Sequence, residues 1–198
     1  MPPKAKKYGE PERGQKWAAS VEANLEKATG KSLAAWVKIA KVCPHDKMML
    51  RLKWFKEEHG LSVARAGVVI EKAFGADAFG WGDPETLVEN LFASKNFAPQ
   101  RAIYNAVEKY VEAIDGAILS PRKGYVALYR LKQFGAVKPS KDGLLVGLAM
   151  QKYPKSKKLV DVKNLGGGDR TKKAVLLPSA KDFDGEAKHL VKAAWTEN

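Results

Sequence analysis

Two tyrosines, Tyr125 and Tyr129, stand in a run crowded with cations: Arg122 and Lys123 around their start, Arg130 and Lys132 after them. Side chains of these types do binding chemistry. An exposed aromatic ring stacks on an unpaired base, and a neighbouring ammonium or guanidinium neutralises a phosphate. Lys138 and Lys141 continue the same basic stretch, and Arg170 and Lys172 lie near its end. These ten residues form the candidate site, a surface for nucleic acid. The competing reading carries equal weight: both tyrosines pack beneath a helix and the cations only solvate the protein.

Other residue groups suggest chemistry that their surroundings do not support. Lys123-Gly-Tyr-Val-Ala-Leu-Tyr129 approaches the aromatic strand of an RNA-recognition domain, but that motif needs a small residue at 126 and an aromatic at 127. Val and Ala stand there, and no strand–helix–strand order precedes them. Gly30-Lys31-Ser32 resembles the end of a phosphate-binding loop, yet position 25 is Leu rather than Gly. Helix stop and helix cap account for it. Gly166-Gly167-Gly168 with Arg170, Lys172 and Lys173 offers amides and cations to a phosphate, but no helix starts after it, which favours a plain hairpin loop. Gly60-Leu61-Ser62 between two helical patterns has the look of a DNA-binding helical hairpin. Glycine stop and serine cap explain it more simply.

Cys43, His45 and Asp46 cluster in sequence, but one thiol and one imidazole make no zinc spacing. A buried thiol and a helix cap are the favoured reading. No Gly-x-Ser-x-Gly, His-Glu-x-x-His or dinucleotide glycine run occurs. The expectation is no metal site, no cofactor and no catalytic residue, with a fold-assembled active site kept as a third reading.

Charge distribution agrees with a polyanion partner. The 198 residues carry a net charge of +13. Between Arg122 and Lys173 there are 14 Lys+Arg against 3 Asp+Glu, whereas residues 83–121 hold 3 against 6. Such asymmetry points to a polyanion more strongly than a high pI does. A single cysteine forbids an intrachain disulfide and fits a reducing compartment. No apolar run reaches the roughly 18 residues of a membrane span, and no secretory leader is present, so a cytoplasmic protein is expected.

The elements that must position these residues follow from periodicity. Residues 1–14 read as a basic mobile tail with Lys4, Lys6, Lys7 and Arg13. Residues 15–75 read as a four-helix module. Its helices carry Trp17, Val21 and Leu25; Leu33, Trp36 and Ala40 behind the Ser32 cap; Met48, Leu52 and Phe55 behind Asp46; and Val63, Ala66, Ile70 and Phe74 behind Ser62. Residues 76–82, rich in glycine and small residues, read as a linker. Residues 83–198 read as an α+β domain. Asp83-Pro84-Glu85 starts a helix, Pro99 opens a longer one, and Gly116 ends it. An antiparallel meander over Lys123–Met150 forms the core, with Asp142-Gly143 as a hairpin turn. Short strands are expected at 117–120, 159–162 and 173–177. A last helix should place Leu190, Val191, Ala194 and Trp195 against the sheet.

Two resemblances agree with this division. Lys31-Ser32-Leu33, Trp36-Val37 and Trp54-Phe55-Lys56-Glu57-Glu58-His59-Gly60-Leu61 resemble a short helical bacterial domain family of unknown function. Lys123-Gly124-Tyr125-Val126, Gln133-Phe134, Ala136-Val137, Gly147-Leu148 and Ala193-Ala194-Trp195 resemble a second uncharacterised family, an α+β domain sometimes labelled a predicted transport protein. The resemblance implies a tandem over about residues 28–196 and brings no catalytic residue with it. The leading functional expectation is a non-enzymatic protein that binds nucleic acid or a ribonucleoprotein through a basic sheet surface. A small-molecule or metabolite binder is the alternative.

Overall fold

The computed structural model describes residues 8–9, 12–75, 83–166 and 170–198, with backbone alone for 12–14. The expected linker at 76–82, the tail lysines Lys4, Lys6 and Lys7, and Gly167, Gly168 and Asp169 lie outside the described residues. The chain divides into two compact units: Glu12–Asp83 is one, and Tyr8 and Gly9 join Pro84–Asn198 in the other.

The first unit is helical: α1 Glu12–Ala23, α2 Leu25–Thr29, α3 Leu33–Lys41, α4 Met48–His59 and α5 Val63–Phe74. The single first helix expected from the apolar spacing is interrupted at Asn24. The Asn24 side-chain amide donates to the Ser20 carbonyl at 2.8 Å, and its backbone amide shares that carbonyl at 3.1 Å. Ser32 and Ser62 cap α3 and α5 by accepting from the Ala35 and Arg65 amides. Lys47, rather than Asp46, holds the N-cap position of α4, and it makes no side-chain cap bond. At the Gly60 turn, the Gly60 and Leu61 amides donate to the Lys56 and Phe55 carbonyls, both at 3.1 Å. They serve the end of α4 and are not presented to a phosphate. Leu25, Trp36, Ala40, Phe55, Leu61, Ala66, Val69 and Ile70 form this unit's own core.

The second unit is a two-layer α+β arrangement. Helices α6 Pro84–Phe92, α7 Arg101–Glu112 and α8 Gly185–Thr196 accompany six strands: β1 Ile118–Arg122, β2 Tyr125–Tyr129, β3 Gln133–Ser140, β4 Gly143–Ala149, β5 Leu159–Asp161 and β6 Thr171–Leu177. All neighbours pair antiparallel in the order β1-β2-β3-β4-β6-β5. Leu119, Val126, Leu128, Val137, Leu144, Val146, Leu148, Val175 and Leu177 share a core with Val88, Leu91 and Phe92 of α6, Val107 and Val111 of α7, and Leu190, Val191 and Ala194 of α8. All three helices thus cover one sheet face. Asp184 caps α8 by accepting from the Ala187 amide at 3.1 Å, and this bond holds its carboxyl below the usual range.

Tyr8 departs from the mobile tail expected over residues 1–14. It pairs in parallel with Leu119 at the free edge of β1, is 7% exposed, and donates its hydroxyl to Glu108 of α7. Gly9 continues the contact by donating its amide to the Leu119 carbonyl at 3.0 Å. Among the described residues, no helix is long and apolar enough to cross a membrane.

Candidate nucleic-acid interface

Strand alternation sends Ser120, Ala127, Ala136, Gly147, Ala174 and Val160 to the sheet face opposite the helices, and the register sets them side by side in one row. Small side chains make this row a shallow trough. The chain after β5 folds back over it. A Cβ on Gly147 would collide with a Leu165 methyl and stand 2.6 Å from a Thr171 methyl, so Leu165 occupies the space that glycine leaves. One residue on, a Cβ on Gly166 would stand 2.6 Å from the Tyr125 ring. Tyr125 therefore packs against this loop. It is neither an open platform nor a residue beneath a helix, the two arrangements expected from sequence.

The ten candidate residues separate into two groups at opposite ends of the sheet, with Tyr125 beside Arg122 at the first end and Tyr129 at the second. Lys123 occupies the β1–β2 turn and Lys141 the β3–β4 turn, both exposed, with Arg122 and Lys138 half-buried close by. Arg130 and Lys132 follow β2, and Arg170 and Lys172 lie at the start of β6, at the other end. Seven residues of β4 separate the ends, about 20 Å of strand. The single basic surface expected from sequence is thus divided by the antiparallel order.

Two clefts meet at Lys172, and the outer one reaches from the second end to Tyr125 near the first. An outer cleft of about 640 Å³ is lined by Tyr125, Val162, Lys163, Asn164, Gly166, Thr171 and Lys172. An end cleft of about 420 Å³ brings together Lys132, Tyr153, Arg170 and Lys172 with Glu197 and Asn198. Lys172 borders both. The Tyr153 hydroxyl ties the wall between them, donating to the Leu148 carbonyl at 2.6 Å and accepting from the Lys172 amide at 3.2 Å. Asn198 accepts from the Arg170 guanidinium and donates to the Ala149 carbonyl at 2.8 Å, which holds Arg170 at the cleft. Arg130 turns elsewhere: its guanidinium lies 4.2 Å from the Trp195 ring centre, while the Lys192 ammonium lies 3.4 Å from it.

Electrostatics in the outer cleft follow from burial. Burial pushes the Tyr125 hydroxyl above its ordinary range, Tyr129 adds to that rise, and the Arg122 charge opposes it. Two basic-stretch lysines pair with acids, Lys173 with Asp161 at 2.8 Å and Lys158 with Asp184 at 3.1 Å. Among the described residues, no group of three or more His, Cys, Asp or Glu gathers as metal ligands would.

Residues 88–198 match the family described as Domain of unknown function (DUF5655). The chain belongs to the DUF5655 family. Residues 17–73 match a second family, Domain of unknown function (DUF4287), so the two stand in tandem as the motif residues suggested. No curated protein and no solved structure matches the chain. Within the DUF5655 region, sequence reading missed Lys163, Asn164 and Thr171. Asn164 carried a local signal, since asparagine tolerates the left-handed backbone it adopts here at φ 56°. Thr171 carried none. Its place beside Gly147 and Leu165 exists only once the loop has folded over the sheet.

Proposed function

We propose that the DUF5655 region binds a single strand of nucleic acid as a non-enzymatic module. The supporting observation is the pair of adjoining clefts that share Lys172 and gather Lys132, Lys163, Arg170 and Tyr125. Cations supply phosphate contacts, and a tyrosine in the cleft wall suits an unpaired base better than a duplex. The cleft volumes also suit a small anionic metabolite, which is the second reading.

Fluorescence anisotropy with labelled single-stranded RNA, single-stranded DNA and duplex at two salt concentrations tests the proposal. Single strands should bind more tightly than duplex, and the logarithm of affinity should fall linearly with the logarithm of salt. Lys132→Gln with Lys172→Gln should flatten that slope by about 0.7 for each phosphate no longer neutralised. Absence of binding to every strand at low salt would overturn the reading.

A further inference from the structure

We infer that the end cleft tells RNA from DNA, and that the Glu197 carboxylate does so by accepting a hydrogen bond from a ribose 2′-hydroxyl. The inference rests on the nucleic-acid reading above and adds to it a choice of sugar. Lys132, Arg170 and Lys172 line the cleft with three cations, which offer donors and no acceptor. Glu197 is the one acid on the same lining. A carboxylate there repels phosphate, so a cleft for phosphate alone is better without it. The fold nevertheless sets it in place. The Gln151 backbone amide donates to Glu197 Oε2 at 2.8 Å, across 46 positions of chain. Among the described residues, none of the three cations forms an ion pair with Glu197, and its second oxygen, Oε1, accepts no hydrogen bond.

Neighbouring polar groups are already engaged. The Tyr153 hydroxyl bonds the Leu148 carbonyl and the Lys172 amide. The Asn198 side chain accepts from Arg170 and donates to the Ala149 and Ala194 carbonyls. Glu197 is exposed, and is thus the anchored acceptor left for a ligand. The chemistry of that ligand follows. A carboxylate accepts and cannot donate. The phosphates of a strand offer it no donor at neutral pH, and neither does deoxyribose within a strand. A ribose 2′-hydroxyl does, and it sits close to the phosphate on its own 3′ side. Base edges carry N–H donors too, but they point away from the phosphates that the three cations hold. Cations for the anion and one fixed acceptor beside them therefore suit the backbone of RNA. A hydrogen bond to a charged acceptor is the strong kind, so one such contact is enough to separate the two sugars.

The test measures, by fluorescence anisotropy, the affinity of the full chain for three labelled uridine octamers, with ribose, deoxyribose or 2′-O-methylribose. All three carry the same base and equal charge, and the 2′-O-methyl sugar keeps the oxygen but loses the proton. The ribose octamer should bind about tenfold more tightly than either of the others, the effect of one hydrogen bond to a charged group. Glu197→Gln keeps an oxygen for the Gln151 amide and removes the charge. It should bind the ribose and 2′-O-methyl octamers alike, and the deoxyribose octamer more tightly than the parent does, because one repelling charge is gone. Equal affinity of the unmodified protein for the ribose and deoxyribose octamers overturns the inference and leaves phosphate binding standing. So does equal affinity for the ribose and 2′-O-methyl octamers, which assigns the preference to sugar pucker. These comparisons use the unmodified chain and do not depend on the variant folding. A Glu197→Gln variant that gains the same factor for all three octamers, or that keeps the parent's preference, also overturns the inference. Failure of the unmodified protein to bind any octamer overturns the nucleic-acid reading itself.

Discussion

Tyr8 and Glu108 stand 100 positions apart in the chain and share a buried hydrogen bond. Glu108 is 5% exposed, so its carboxyl depends on protein donors in place of water. Tyr104 lies beside the pair. Burial and then the Glu108 charge push its hydroxyl well above the ordinary tyrosine range, so it remains a neutral phenol. Tyr8→Phe keeps the ring and removes the donor to Glu108. It should cost about 1–3 kcal/mol in urea unfolding, the range for a buried polar group deprived of a partner. An unchanged midpoint would show that the carboxyl does not rely on Tyr8. Trp195 behaves in a related way. The helical pattern of α8 expects it against the sheet, and it packs there half-buried at the margin of the core, with Arg130 and Lys192 against its ring. Its contribution comes from cation–π contacts as well as apolar area.

At the scale of elements, the sheet has two unlike faces. The helix side is built from Leu, Val and Phe. The opposite side has a central row of Ser120, Ala127, Ala136, Gly147 and Ala174, which a loop residue, Leu165, partly fills at Gly147. Gly147 is the hinge of this arrangement, because any side chain there meets Leu165 and Thr171. Gly147→Ala should displace the loop and cost about 1–3 kcal/mol, as overpacking does. Hydrogen exchange checks it: amides of Val162–Gly166 should exchange faster while those of β3 keep their protection. Uniform protection across the loop would mean that Leu165 moves aside at no cost.

For the whole molecule, the folding unit and the family match differ in extent. The DUF5655 match begins at residue 88, whereas the sheet unit also uses Tyr8 and Gly9 from before the helical unit. The chain enters the sheet unit, leaves it at Glu12 and returns at Pro84. A fragment spanning 84–198 should therefore fold with β1 as an uncovered edge and without the Tyr8 hydrogen bond to Glu108. Its melting temperature should fall below that of the corresponding transition in the full chain, and Leu119 and Ser120 should lose exchange protection. Equal stability of fragment and full chain would show that the Tyr8 pairing contributes nothing.

Local information sufficed for much of this. Alternating residues over Lys123–Met150 with the turn signal at Asp142-Gly143 place β2, β3 and β4 within a residue or two, because pleat and turn geometry act over neighbours alone. Ser32, Ser62 and Asp184 mark helix starts for the same reason: each cap bond spans three residues. Tyr125 and Lys172 were legible as candidates by type. Their company was not. Insertion of β6 between β4 and β5, division of the basic stretch between two sheet ends, and the fold-back of Leu165 over Gly147 depend on pairings between segments distant in sequence. The same holds for Tyr8 on β1 and for Glu197 on one cleft with Lys132, Arg170 and Lys172. The α+β class was therefore readable from residue patterns, whereas the clefts arise only from long-range packing, which a one-dimensional pattern does not encode locally.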